Sequence, residues 1–143
     1  VKEQDTNDAD KAVRHCLKHE CTEIHILGAE GRRNDHFLSS LEIIFKYTPN
    51  VRLILWTPLE RMEFILGNWK ENLPPGTILS LLPLFGGAQG VVTHGLEFSL
   101  DGHDLLPGET PSGVSNLVIS NPVSVTLKKG RLLLVVQHTT NYS

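Results

Sequence analysis

The hydrophobic period of this chain changes at about Leu59, from helical spacing to short β-type runs, and a single regular layer cannot serve both. Before that point Ala9, Ala12, Val13, Cys16 and Leu17 recur at helical spacing. Residues 8–19 therefore read as an amphipathic helix, with Asn7 or Asp8 as a plausible N-cap. Glu23-Ile24-His25-Ile26-Leu27 reads as a short strand ending at Gly28. Phe37, Leu38, Leu41, Ile44 and Phe45 mark a second helix, which Pro49-Asn50 closes. Val51 to Trp56 forms another buried strand, Arg52 apart. Helix–strand–helix–strand order with short connections implies a parallel α/β layer.

Beyond Leu59 the helical period is gone. Met62 to Leu66 can pair back as a strand, and Asn72-Leu73-Pro74-Pro75-Gly76 looks like a linker or sharp turn. Thr77–Leu82, Val91–Leu100, Asn116–Ser120, Val123–Leu127 and Leu132–Val136 are rich in Val, Leu, Ile and Thr. Gly86-Gly87, Asp101-Gly102, Pro107-Gly108 and Lys129-Gly130 punctuate them. Short strands with turn signals at this spacing predict a small antiparallel sandwich or barrel. The expected fold class is α/β followed by all-β: a partial parallel α/β domain over residues 1–72 and a β-rich domain over residues 73–143.

Composition bounds the partners. A chain of 143 residues, 40% of them hydrophobic, can build one ordinary core or two small ones. The net charge of -3 and a pI near 6.2 lend no support to a nucleic-acid or membrane partner. Apolar runs such as Leu132 to Val136 are far too short for a bilayer, and the first residues carry no signal-peptide pattern. Cys16 and Cys21 do not resemble a secreted disulfide framework. A cytoplasmic globular protein is expected.

Three stretches have the composition for chemistry. The first is Glu3-Gln4-Asp5-Thr6-Asn7-Asp8, which opens the first helix. Asp5 and Asp8 are spaced so that their carboxylates can converge on Mg²⁺, and Lys11, one turn on, can reach a phosphate. The same residue types are also ordinary helix caps. The second stretch, Gly28 to His36, follows a strand and opens a helix, where α/β proteins collect ligands. Its glycines allow close backbone approach, its arginines offer a fork for phosphate, and Asp35 suits a cap or a substrate contact. A glycine turn with solvated arginines is the plainer alternative. The Gly-Lys-Ser/Thr ending of a Walker loop is absent. The third stretch, Ser112-Gly113-Val114-Ser115-Asn116, offers hydroxyl and amide groups that suit a heterocycle, though Ser-Asn pairs are also common in turns.

His15, Cys16, His19 and Cys21 have the composition of metal ligands but fit no standard zinc spacing, so buried Cys and surface His explain them better. His25, inside a short strand, reads as a satisfied core histidine.

In order and spacing these stretches resemble the thiamine pyrophosphokinase (thiamine diphosphokinase) family. Gln4-Asp5-Thr6-Asn7-Asp8 matches that family's Asp-Gln-Asp-x-x-Asp segment except at its leading position, where Glu3 stands. Gly28, Gly31, Arg33, Asp35 and His36 match its Gly-x-x-Gly-x-Arg-x-Asp-His loop. Ser80 to Leu84, Val92-Thr93-His94-Gly95-Leu96 and Ser115-Asn116 match its β-domain motifs. The similarity covers nearly the whole chain.

The resemblance implies transfer of a pyrophosphoryl group from ATP to thiamine, giving thiamine diphosphate and AMP. It implies an ATP-binding α/β domain and a thiamine-binding β domain. It places Asp5 and Asp8 as Mg²⁺ ligands, with Gln4, Thr6, Lys11, Arg33 and His36 around the nucleotide. Asp35 falls between nucleotide and thiamine, Ser115 and Asn116 at the thiamine ring, and the enzyme as a homodimer. Asp5, Asp8 and Asp35 would be the catalytic carboxylates. Arg32 stands where many members have a second glycine. The family's upstream Gly-Asp-x-Asp-Ser segment is not among these residues, so the resemblance is to a C-terminal portion, and the 143 residues alone are expected to have little kinase activity. A non-catalytic thiamine or nucleotide binder, or another Mg²⁺-dependent phosphoryl enzyme, are the alternative readings.

Overall fold

The computed structural model describes residues 8–27, 33–109 and 111–138. By contact the chain divides into two compact units, Val1–Thr57 and Pro58–Ser143.

The first unit carries α1 (Asp8–Lys18), β1 (Glu23–Leu27), α2 (Asn34–Tyr47) and β2 (Arg52–Trp56). The two strands are parallel, in register from Glu23 opposite Arg52 to Leu27 opposite Trp56. Parallel neighbours need a crossover, and α2 supplies it. The helix runs until Thr48, whose backbone N–H and hydroxyl both donate to the Ile44 carbonyl, and Pro49 then prevents continuation. The apolar spacing read in the sequence becomes a buried stripe of Leu41, Ile44 and Tyr47 on α2. Leu53, Ile54 and Leu55 are all buried on β2, as expected of a strand covered on both faces.

The second unit is all-β. Its strands are β3 (Glu60–Ile65), β4 (Asn68–Glu71), β5 (Ile78–Leu82), β6 (Ala88–His94), β7 (Asp101–Leu105), β8 (Asn116–Leu117), β9 (Val123–Thr126), β10 (Lys129–Gly130) and β11 (Leu132–Gln137). Antiparallel pairing links β3, β11, β5 and β8 in that order. A second antiparallel set runs β10, β6, β9, β4, and β7 also pairs with β6. Leu79 and Leu81 of β5 and Leu132, Leu134 and Val136 of β11 share one buried cluster with Val91, Leu105, Val123 and Val125 of the other set. Two sheets with one core between them make this unit a β-sandwich. Each of these side chains contributes about 1.5–3 kcal/mol by leaving water.

The strand expected over Met62 to Leu66 is β3, which starts earlier at Glu60, ends at Ile65 and pairs along the length of β11, leaving Leu66 outside it. The contact division and the sequence division at 72/73 differ only over the segment that holds β3 and β4. The run Val91–Leu100 does not continue as one strand. Pairing in β6 ends at His94, Gly95 turns the backbone, and the Leu100 carbonyl returns to accept from the Thr93 N–H. Leu96 is buried in a lone bridge to Val118. Asn116–Ser120 likewise keeps only two residues in β8.

Candidate functional site

The β-sandwich holds a cleft of about 410 Å³ among the described residues, lined by Leu81, Thr93, Phe98, Leu100, His103 and Asn116 together with residues 111–113 and Ser99. Its floor is a set of backbone returns fixed by side chains. Thr93, buried, accepts the Leu100 N–H at 2.8 Å on its hydroxyl. Asn116, also buried, accepts the Phe98 N–H at 3.0 Å and the Leu117 N–H at 2.9 Å on Oδ1, and donates from Nδ2 to the Phe98 carbonyl at 2.7 Å. Both lone pairs of that oxygen are engaged, which leaves one amide hydrogen for anything else.

The loop carrying Ser112 to Ser115 is anchored to β5. Leu81 N–H donates to the Gly113 carbonyl, and Ser115 N–H donates to Ser80 Oγ at 2.9 Å. A Cβ on Gly113 would collide with the Leu81 carbonyl oxygen, so this approach needs glycine. Ser115 sits at φ 56°, a left-handed position unusual for a non-glycine residue, and is exposed. The structure brings Asn116 into the cleft lining and sets Ser115 beside it in sequence but outside that lining.

In the first unit, Gln4, Asp5 and Thr6 lie outside the described residues, as do Gly28, Gly31 and Arg32. Asp8 is the first residue of α1, and both it and Lys11 are exposed. Arg33 precedes α2 in extended conformation and grips Asp35, Nε to Oδ1 at 3.2 Å and Nη2 to Oδ2 at 2.6 Å. Asp35 Oδ1 also accepts the His36 N–H at 2.9 Å, satisfying one free N–H of the first turn from inside the helix, while the N-cap residue Arg33 makes no side-chain cap. The Arg33 hydrogen bond, followed by that of His36, outweighs desolvation and holds the Asp35 carboxyl below its ordinary value. His36 is exposed. Among the described residues no group of three His, Cys, Asp or Glu side chains is placed to share a metal ion.

Sequence reasoning passed over Asp10. It is 5% exposed in the first turn of α1, yet it accepts the Tyr47 hydroxyl of α2 at 2.7 Å and meets Arg14 Nε at 2.8 Å and Lys46 Nζ at 3.4 Å. Its partner on α2 is too distant in sequence to be read from local spacing. The first turn of α1 is thereby tied to the last turn of α2, while Arg33 and Asp35 stand at the opposite end of α2.

His25 is not in the core. It is exposed on β1, although its ring is satisfied: Nε2 pairs with Glu23 at 2.7 Å and Nδ1 accepts the Trp56 indole N–H at 2.8 Å. Alternation on a short strand gave no indication of which face is covered. The rings of His15 and His19 meet edge to face at 4.5 Å between centroids, beside half-buried free Cys16.

Residues 1–55 match the catalytic-domain model of thiamin pyrophosphokinase, and residues 68–132 match the model of its vitamin B1 binding domain. The chain belongs to the thiamin pyrophosphokinase family. The helices of the first unit fall in the catalytic match, and every residue of the cleft falls in the vitamin B1 binding match.

Solved structures of the family share the fold. Thiamine pyrophosphokinase from Bacillus subtilis superposes with a TM-score of 0.86 at 22% identity, over 96% of this chain and 65% of that one. The protein from Geobacillus thermodenitrificans gives 0.85 at 18% identity, over 97% and 65%. That from Candida albicans gives 0.72 at 14% identity, over 94% and 53%. At such identities the likeness is one of fold. The chain thus spans just under two thirds of the length of the first two. No curated protein sequence matches it. No helix among the described residues is long and apolar enough to cross a membrane.

Proposed function

We propose that this chain belongs to an enzyme that moves a pyrophosphoryl group from ATP to the hydroxyethyl arm of thiamine, releasing AMP, and that it works as a cytoplasmic homodimer. One observation carries the reading: the cleft lies wholly inside the segment that matches a vitamin B1 binding domain. Its walls combine apolar Leu81, Phe98 and Leu100 with the amide of Asn116, the mixture a polar heteroaromatic ring requires. Asn116 would meet the ring with its remaining amide hydrogen, and Ser115 from the neighbouring turn.

Displacement at phosphorus needs positioning and charge stabilisation more than covalent help from the protein. Lys11 offers a point charge and Arg33 a planar fork for phosphate oxygens, with Gln4, Thr6 and His36 around the nucleotide. Arg33 engaged by phosphate would release Asp35, which would then accept the hydroxyl hydrogen of thiamine. The fit to Mg²⁺ is chemical: Asp8 is an exposed carboxylate at a helix start, and Mg²⁺ usually takes one or two protein carboxylates beside substrate phosphates. Asp5 and Asp8 would hold the ion, which when bound would neutralise charge on the triphosphate.

Titration calorimetry with thiamine tests the cleft, and saturable binding is expected. In the whole protein with ATP and Mg²⁺, AMP and thiamine diphosphate should accumulate one for one. Phosphate release without thiamine would overturn the transfer.

A further inference from the structure

His103 is a cleft residue whose ring is already oriented. It lies on β7 opposite Val91 of β6, and the β6–β7 register shifts on both sides of that pair. Such irregularities re-aim side chains relative to a regular ladder. The Asp101 backbone N–H donates to His103 Nδ1 at 3.1 Å, so Nδ1 is the acceptor nitrogen of a neutral ring and Nε2 carries the hydrogen. Among the described residues that Nε2–H meets no protein acceptor, and the residue lines the cleft together with Phe98, Leu100 and Pro111. Burying apolar ring surface there while leaving a fixed donor at the edge selects ligands that present an acceptor atom in the plane of the ring.

We propose that His103 is a specificity-determining residue of the cleft, donating Nε2–H to an acceptor nitrogen of the bound heteroaromatic ring. This rests on the cleft being the thiamine site, and it assigns one of that ring's acceptors to a residue outside the Ser-Asn motif. A site built to donate to a ring atom rejects analogues lacking it far better than a merely apolar pocket does.

Calorimetry on the intact chain tests this with three probes: thiamine, and two analogues in each of which a different pyrimidine nitrogen is replaced by C–H. His103→Asn keeps an oxygen able to accept the Asp101 N–H but loses the reach of Nε2. His103→Gln keeps a distal N–H. The expected result is a roughly tenfold weaker Kd for thiamine in His103→Asn, substantial recovery in His103→Gln, and no further loss when His103→Asn meets one of the two nitrogen-deleted analogues. Equal losses for thiamine and for both analogues would show that His103 only shapes the loop, and unchanged thiamine affinity in both variants would overturn the assignment while leaving the thiamine reading intact. If the wild-type chain gives no saturable heat with thiamine, the reading itself fails and this inference with it.

Discussion

The side-chain amide of Asn116 pairs with both the N–H and the carbonyl of Phe98, at 3.0 and 2.7 Å, and so does for the cleft wall what a neighbouring strand would do. Phe98 is 68% exposed, yet its backbone is held from below by a side chain that is 8% exposed. Asn116 is thus a structural tie and a ligand contact in the proposed function at once.

Asn116→Ala leaves the N–H and carbonyl of Phe98 without their partner. We expect a loss of about 1–3 kcal/mol in urea unfolding, in line with orphaned polar groups of this kind. Thiamine affinity should fall with it. An unfolding midpoint equal to wild type would show that the loop re-pairs by itself.

Gly113→Ala drives a Cβ into the Leu81 carbonyl, a contact that backbone must relieve. Strain of about 1–3 kcal/mol is expected, together with weaker thiamine binding. Calorimetry at a temperature where the variant is fully folded separates the two effects.

Asp10 gives stability a pH dependence. Burial alone would raise its pKa, but the Tyr47 hydrogen bond and the charges of Arg14 and Lys46 prevail and lower it from 3.8. A carboxyl depressed by folding adds stability above its unfolded pKa and loses it as pH falls through the folded value. Tyr47→Phe should therefore cost about 1.5–3 kcal/mol at neutral pH, as a hydrogen bond to a charged acceptor does. Urea melts should show that difference shrinking below about pH 4. A deficit that stays constant into acid would rule out the ionised Asp10 as the cause.

The Arg33–Asp35 pair is exposed and screened, so it does little for stability. Asp35→Asn should leave the thermal midpoint in place while sharply reducing AMP formation in the whole protein. Full turnover in that variant would remove Asp35 from the catalytic group.

The local elements of this protein are written in its sequence. Helical spacing from Ala9 to Leu17 and from Phe37 to Phe45 gives α1 and α2, and β1 spans Glu23–Leu27 as read, because period and caps act over a few neighbouring residues. The family, too, is legible, in motifs whose order survives along the chain. What the sequence does not carry is pairing at a distance. β4, β7 and β10 went unread because Asn68–Glu71, Asp101–Leu105 and Lys129–Gly130 are polar or turn-like, and only their partners make them strands. The same holds for the site. Ser-Asn is visible as a motif, but that Asn116 grips Phe98, that Asp101 sets the tautomer of His103 and that Asp10 meets Tyr47 follow from register and packing, which bring side chains together that no local period connects.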